Sequence, residues 1–347
     1  MGDIISAKLI LSCNEQIAHL KEKGVTFDKF SEDEAKIYLS SHNNLFRLLA
    51  YRQDFKDPDS DNYRGLDFSY LVHMARIDRE LREFILESCL DIEHFSKMQL
   101  LNLIVQTRNH EKANVITGEY FSNLQESDKK DGTNRFSSLC KTISAHSHDI
   151  YLQGLYCKYT YCMENTPRYD HFPVWAFLEV IPFREFIYFY QFCITEIRSK
   201  HYQQYRALTF LLKTVNRARN AAAHNSCFIN DLKLITEHPS KDRYIKEALP
   251  EKYRSYLRYA KPQQIIACLY LYKEIVTREY CKDFKFLSRP YDYGNADITT
   301  KLKSIYNILE NFNEVVSEKL NYKLNFIKDI FHALSYTIAF WYPNIVK

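Results

Sequence analysis

Glycine and proline are scarce in this chain, which has 7 glycines and 9 prolines among 347 residues. Architectures built from strands and turns need glycine for positive φ angles and proline for rigid turns. With so few glycines, the glycine-rich phosphate loops of nucleotide-binding folds are effectively excluded. Hydrophobic residues make up 46% of the chain, and there are 27 tyrosines and 23 phenylalanines. We therefore predict an all-α fold whose helices pack through aromatic side chains.

Paired cysteines and long apolar runs are also missing. The nine cysteines contain no CxxC spacing, which is typical of reduced thiols and not of a disulfide framework or a zinc knuckle. The most apolar segment, residues 172–193, is interrupted by charged residues and a proline, so no stretch reaches the length of a membrane span. The first residues lack the basic region of a signal peptide. We expect a cytoplasmic protein that does not contact a membrane.

Motifs for metals and cofactors are lacking as well. His146 and His148 form an HxH sequence, but only Asp149 accompanies them at ligand spacing. Surface histidines explain that pair better than a metal site does. No GxSxG or HExxH motif occurs. The sequence predicts neither a bound metal nor a cofactor.

The net charge of +4 identifies no partner, but the distribution of charge is more informative. Between Arg198 and Pro262 there are 14 lysines and arginines against 5 acidic residues. Such an excess attracts the phosphate backbone of nucleic acids, because each contact releases counterions. The alternative for this basic stretch is a solvated helical face without a partner.

Hydrophobic periodicity places the helices. Apolar residues recur at helical spacing from Leu71 to Met98, which predicts one long amphipathic helix. Ser31 followed by Glu34 predicts a capping box at the start of an earlier helix. Residues 108–136 lose this periodicity and gather polar and turn residues, so we predict a loop or insertion near residues 106–136. Further helices are predicted at 136–165, 174–198, 203–224, 263–282, 300–320 and 324–341.

These predicted elements group into two regions. Residues 1–240 form a helical domain that contains the predicted loop. Residues 241–347 form a C-terminal helical region, which we expect to pack on the same core.

One segment of the basic stretch carries residues suited to chemistry. It reads LLKTVNRARNAAAHNSCF over residues 211–228. On a helix, Asn220 and His224 are four residues apart and share one stripe, and the long side chain of Arg219 reaches the same area. The three alanines at 221–223 are small enough to let a phosphate or another helix approach the backbone.

The residue types suit cleavage of RNA without a metal. In that reaction the 2′-OH attacks the adjacent phosphorus, which requires proton transfer and stabilisation of charge on the phosphoryl oxygens. Imidazole is the side-chain group best suited to proton transfer near neutral pH, and His224 supplies one. The Arg219 guanidinium is always charged and suits the phosphoryl oxygens, while Asn220 would orient the imidazole or fix the helix end. Taken alone, these residues are better explained as a helix C-terminus whose cations complement the dipole.

The surrounding sequence resembles the HEPN superfamily, and in particular the Abi-type bacterial abortive-infection proteins. The segment around Arg219 and His224 matches their RNxxxH signature, preceded here by Val215 and Asn216. Two further blocks occur upstream in the family's order, and they depart from its pattern only where Pro182-Phe183-Arg184 replaces Ser-Phe-Gly. The matching residues of these blocks are Asp78, Leu81, Arg82, Ile92 and Glu93, then Pro173, Trp175, Glu179 and Phe183.

The resemblance implies an all-α HEPN-type helical bundle, here with additional C-terminal helices, and metal-independent endoribonuclease activity in antiphage defence. Its substrate would be single-stranded or structured RNA, and an antitoxin protein or RNA is a possible further partner. In the family two such motifs face each other. Since only one is convincing here, we expect a homodimer.

Several residues outside the motif are assigned supporting functions. We expect Lys213 and Arg217 to bind RNA. Asp78 and Arg82 would support the site, the alternative being a surface ion pair four residues apart on one helix. Glu93 would be a buried partner of Arg219.

Two alternatives to the ribonuclease remain. A non-catalytic HEPN-type module could use the same helix to bind RNA or a partner protein in a defence or toxin–antitoxin system. A structural helical protein could carry the motif by coincidence. The presence of Arg219, Asn220 and His224 together favours the ribonuclease, because binding alone does not require a titratable group.

Overall fold

In a computed structural model of the chain, the described residues are 10–108, 113–146, 162–163, 166–167, 172–197, 202–230, 235, 246 and 251–277. Helices dominate these residues, which confirms the predicted all-α fold. The α-helices are α1 (Cys13–Glu22), α2 (Glu32–Ser41), α3 (Leu45–Leu48), α4 (Phe68–Arg108), α5 (Val115–Asp131), α6 (Arg135–Ala145), α7 (Val174–Val180), α8 (Phe183–Ile197), α9 (Tyr202–Ala223), α10 (Glu251–Arg254) and α11 (Ala260–Leu271).

Short 3-10, π and strand segments complete the described elements. Leu49–Phe55 and Ser255–Arg258 are 3-10 helices, and a π-helical turn, Tyr272–Thr277, follows α11. Strands β1 (Val25–Thr26) and β2 (Leu66–Asp67) pair in parallel. Strands β3 (Cys162–Met163) and β4 (Thr166–Pro167) pair antiparallel.

Helix α4 confirms the longest predicted helix and extends it at both ends to 41 residues. Leu71, Met74, Leu81 and Ile85 are among its buried side chains, at the spacing that places side chains on one helical face. Helix α2 begins with the predicted capping box, in which the side chains of Ser31 and Glu34 each bond to the other residue's backbone N–H.

The prediction of a loop near residues 106–136 is wrong. Helix α5 occupies most of that range and ends at Gly132, whose φ of 67° is left-handed. Its inward side chains Ile116, Tyr120, Phe121 and Leu124 are buried. The polar residues that obscured the periodicity lie on the outward face, where lysine, asparagine and serine are compatible with a helix.

The chain divides into two compact units. The described part of the first unit comprises residues up to Leu86 and Ala221–Ile266. Phe68 is fully buried in its core and stacks on Phe27, with ring centroids 5.4 Å apart. The first unit also contains β1 and β2, which pair Val25 with Leu66.

The second unit comprises Glu87–Asn220 and the described residues from Ala267 onward. Its core contains an aromatic cluster in which the ring centroids of Phe177 and Phe189 are 4.9 Å apart, and those of Tyr120 and Phe189 are 5.1 Å apart. Helix α8 contributes Phe189 to this core, whereas Trp175 of α7 is 46% exposed.

Some predictions fall outside the described residues. They are the helices at 300–320 and 324–341, the boundary near residue 240, and most of the C-terminal region 241–347. Within the part of the chain that the structure describes, no helix has the length and apolar character that crossing a membrane requires.

Candidate functional site

The residues that end α9 form a Schellman motif, which fixes the position of His224. Asn225 has a left-handed φ of 58°, and its N–H donates to the carbonyl of Ala222 at 3.0 Å. The N–H of Ser226 donates to the carbonyl of Ala221 at 2.8 Å. These two bonds stop the helix and make His224 the capping residue that follows the last helical turn. The predicted helix over 203–224 is thereby confirmed.

The three motif residues differ in exposure and in partners. His224 and Asn220 are exposed, whereas Arg219 is half-buried. The Arg219 guanidinium donates from Nη1 to Asn220 Oδ1 at 3.2 Å. Its buried Nε finds no hydrogen-bond partner among the residues that the structure describes. The described residues provide no hydrogen bond or ion pair for the His224 imidazole. The Asn220 side chain is hydrogen-bonded to Arg219, so it does not orient the imidazole as the sequence suggested.

An exposed stripe along α9 includes two of these residues. Lys213, Arg217, Asn220 and His224 follow the i, i+4, i+7, i+11 spacing of one helical face, and all four are exposed. Lys213 Nζ donates to Gln191 Oε1 at 3.2 Å, and one guanidinium nitrogen of Arg217 donates to a threonine hydroxyl of the same helix at 3.0 Å. Both partners are neutral, so no carboxylate of the described residues pairs with either cation.

Asp78 and Arg82 form a buried ion pair, which corrects the alternative of a surface pair. The Asp78 side chain is fully buried, and that of Arg82 is 10% exposed. Asp78 Oδ1 also accepts the backbone N–H of Phe228 at 2.6 Å and that of Ile229 at 2.9 Å. The carboxylate therefore fixes the chain immediately after the Schellman motif, and a buried carboxylate needs this number of partners to remain charged.

Two groups beside Asp78 are kept neutral by their surroundings. Burial first, and the Asp78 charge second, raise the pKa of the Cys227 thiol to about 12. The same two causes raise the pKa of the Tyr51 hydroxyl well above its usual range. Neither the Cys227 thiol nor the Tyr51 hydroxyl therefore ionises near neutral pH.

Glu93 is not paired with Arg219, which corrects the predicted contact. Its carboxylate forms an ion pair with Lys97 at 3.0 Å, with side chains 16% and 11% exposed. Lys97 Nζ also donates to the carbonyl of Ile181 at 3.2 Å. Lys97 follows Glu93 by four residues of α4, a spacing at which side chains of opposite charge meet. The carbonyl of Ile181 is a second acceptor for the same ammonium group.

Arg219 and Glu93 nevertheless share a neighbour in Cys89. The Cys89 thiol lies 3.5 Å from the Cys268 thiol. A hydrogen bond to Cys268, followed by burial, raises the pKa of Cys89 well above its usual range, while the positive charge of Arg219 opposes that rise. The half-buried guanidinium is therefore close to a neutral, thiol-lined part of the second unit.

The first unit contains a cleft of about 860 Å³ that the sequence did not predict. Four arginines and two glutamates line it, with the turn that follows α9 on another side. Its lining includes Tyr38, His42, Arg47, Arg76, Arg79, Glu80, Arg82, Glu83, Ala222, Ala223 and Asn225. The spacing of Arg76, Arg79 and Arg82, three residues apart on one helix, is a signal that could have indicated it.

The arginines of this cleft all have partners. Arg76 pairs with Glu80, and Arg79 pairs with Glu83, each four residues along α4. Arg82 pairs with Asp78, and Arg47 donates to the carbonyl of Asn225 at 2.8 Å. The cleft is thus polar but largely neutralised, and the Arg47 contact contributes to holding the Schellman turn.

The described residues contain no group of three or more histidine, cysteine, aspartate or glutamate side chains that could hold a metal ion. His146 ends α6, and the other two residues of the HxH sequence, His148 and Asp149, lie outside the described residues.

Comparison with known proteins gives one match. A family model described as "Abi-like protein" matches residues 38–230. No curated protein and no solved structure matches the chain. The matched range contains all three motif residues, together with Asp78, Arg82 and Glu93.

Proposed function

Because this chain belongs to the Abi-like protein family, we propose that it is a metal-independent endoribonuclease of bacterial abortive infection, acting on RNA in the cytoplasm. The family suggests the defence role, and the RNxxxH signature of the HEPN superfamily suggests the chemistry. Arg219, Asn220 and His224 are the residues to which we assign it.

The reaction follows from the groups present. His224 accepts the proton of a ribose 2′-OH as the 2′ oxygen bonds to the adjacent phosphorus. The 5′ oxygen of the next nucleotide leaves and takes up a proton, so the products are a 2′,3′-cyclic phosphate and a free 5′-OH. Arg219 stabilises the charge on the phosphoryl oxygens. Its hydrogen bond to Asn220 at 3.2 Å limits the positions that the guanidinium can adopt.

The exposure of His224 at the capped end of α9 is the observation that carries this proposal. A catalytic imidazole must be reachable by a phosphodiester, and His224 is exposed without a competing partner among the described residues. Lys213 and Arg217 lie on the same stripe, where exposed cations attract the RNA backbone. Asp78 contributes by holding the residues that follow the turn.

The Nε atom of Arg219 also supports a composite site. It is buried and has no hydrogen-bond partner within the described part of the chain, and such an atom is costly unless a further group reaches it. We propose a homodimer in which two copies of the motif approach each other, with the small exposed side chain of Ala223 permitting close contact. An antitoxin protein or RNA would then act by covering this site.

The proposed chemistry is tested with purified protein in EDTA, using single-stranded and structured RNAs. We expect products with 2′,3′-cyclic phosphate ends, and no cleavage of the same sequences carrying 2′-O-methyl riboses, because the nucleophile is then blocked. Cleavage that requires added Mg²⁺, or that leaves 3′-OH ends, would overturn the proposed mechanism.

A non-catalytic RNA-binding module is the second candidate, and one observation favours it. No acidic or basic side chain of the described residues orients the His224 imidazole, whereas acid–base histidines are commonly held by a second group. Under this alternative the protein binds RNA through Lys213 and Arg217 and leaves every RNA intact, and His224→Ala binds as tightly as the unmodified protein.

A further inference from the structure

We propose that a small pocket between α8 and α9, within the second unit, binds one phosphate group of the RNA backbone. This inference rests on the proposed function, since it assigns a substrate contact to a protein that acts on RNA. The pocket has a volume of about 170 Å³ and is lined by Gln191, Ile194, Thr195, Arg206, Thr209, Phe210 and Lys213. None of these side chains is acidic.

The charge of the pocket comes from two cations on one face of α9. Arg206 and Lys213 are seven residues apart, which places both on the same side of the helix. The described residues give the Arg206 guanidinium no hydrogen bond and no ion pair, and Lys213 bonds only to the neutral Gln191. In contrast, every arginine of the larger cleft in the first unit already has an acidic or carbonyl partner. The small pocket therefore keeps two available positive charges.

The polar groups of the pocket are arranged to donate. Gln191 accepts from Lys213 through Oε1 at 3.2 Å, which leaves both amide N–H bonds of its Nε2 available. The hydroxyls of Thr195 and Thr209 donate to carbonyls of their own helices at 2.9 Å and 3.2 Å. The free donors are thus the guanidinium, the ammonium and one amide, a set that matches an anion with several acceptor oxygens.

The shape of the pocket limits what it holds. Ile194 is buried and Phe210 is half-buried, so one wall is apolar. A volume of about 170 Å³ accommodates a phosphate group and a few water molecules, whereas a base or a whole nucleotide needs a larger cavity. Its position on α9, with Lys213 seven residues before Asn220, places it roughly 10 Å from the motif along the helix axis. A phosphate held here would anchor an RNA strand that continues along the exposed stripe.

Affinity for RNA tests this inference in the His224→Ala protein, in which we expect cleavage to be slowed enough for the ligand to stay intact during the titration. A fluorescein-labelled single-stranded RNA of mixed sequence is titrated at several salt concentrations, with and without the double substitution Arg206→Gln, Lys213→Gln. We expect the affinity to fall on the order of tenfold, and the slope of log K against log salt to shrink by about 0.7, the value for one phosphate of a single strand. The matched control is Lys129→Gln, Lys130→Gln, which removes the same charge from exposed residues at the end of α5.

The Lys129→Gln, Lys130→Gln control and competition by inorganic phosphate distinguish a phosphate site from general attraction to RNA. A loss confined to the pocket variant supports the inference, and an equal loss in both double variants overturns it, because general attraction then accounts for binding. Inorganic phosphate at constant ionic strength should weaken RNA binding by the parent and not by the pocket variant. If inorganic phosphate competes with neither, or if the pocket variant binds RNA normally, the pocket holds no backbone phosphate. These binding measurements do not depend on cleavage. If the protein cuts no RNA, the proposed ribonuclease function is overturned, but the comparison of RNA affinities still tests the pocket.

Discussion

At the scale of single residues, Asp78 connects the long helix to the candidate site. Its carboxylate is fully buried and is satisfied by Arg82 and by two backbone N–H groups just after the α9 turn. The sequence indicated this residue and its pairing with Arg82, but periodicity could not reveal its two backbone donors, because they lie about 150 residues further along the chain. Only the tertiary structure identifies such contacts.

Replacement of Asp78 is expected to destabilise the first unit strongly. Asp78→Ala leaves the buried Arg82 charge and two backbone donors without partners, a change that costs about 3–5 kcal/mol. The measurement is the free energy of unfolding in urea. Glu83→Ala is the control, since the Arg79–Glu83 pair is exposed and its loss should change stability little. Equal effects of the two substitutions would contradict the importance of the buried network.

The Cys227 thiol provides a test that depends on pH. Its pKa is raised to about 12, so the reactive thiolate is only about one part in ten thousand at pH 8. Alkylation of the folded protein should therefore leave Cys227 unmodified at pH 8, and the rate should increase steadily as the pH rises towards 12. Mass spectrometry after a timed iodoacetamide reaction measures this. Rapid modification at pH 8 in the folded state would show that the thiol is not protected.

At the scale of elements, the sequence predicted α9 well and α5 poorly. The apolar residues of α9 recur regularly up to Ala218, and the three alanines at 221–223 are strong helix formers. The corresponding residues of α5, Ile116, Tyr120 and Leu124, are separated mainly by polar residues and a glycine, so the periodicity is weak in the sequence. Helix α5 is stabilised by packing of Tyr120 against the aromatic cluster of the second unit, and the local sequence pattern does not reveal this packing.

The end of α9 depends on one left-handed residue. Asn225 has a φ of 58°, which asparagine and glycine tolerate and β-branched residues do not. Asn225→Gly should leave the stability almost unchanged, whereas Asn225→Val should cost about 1–2 kcal/mol. Thermal unfolding of the two variants compares them directly. A valine variant as stable as the glycine variant would mean that the helix does not end in this turn.

At the scale of the whole molecule, the sequence predicted the fold class and the helix that carries the motif, and the family match over residues 38–230 confirms the resemblance to Abi-type proteins. It could not predict the cleft of the first unit or the pocket between α8 and α9, because both arise where separate helices meet. The pocket residues Gln191 and Arg206 have no sequence signal of their own. Charge counting found the basic stretch but could not separate paired from unpaired cations.

The ribonuclease proposal itself depends on His224 as the group that transfers protons. The most direct measurement compares RNA cleavage rates in EDTA for the unmodified protein, His224→Ala and His19→Ala. His19 is also an exposed histidine near the end of a helix, so its loss reproduces any effect of removing a cation from a helix C-terminus. We predict that His224→Ala lowers the rate by about 10²–10⁴-fold and that His19→Ala leaves it unchanged. Cleavage by His224→Ala at the rate of the unmodified protein would contradict the account.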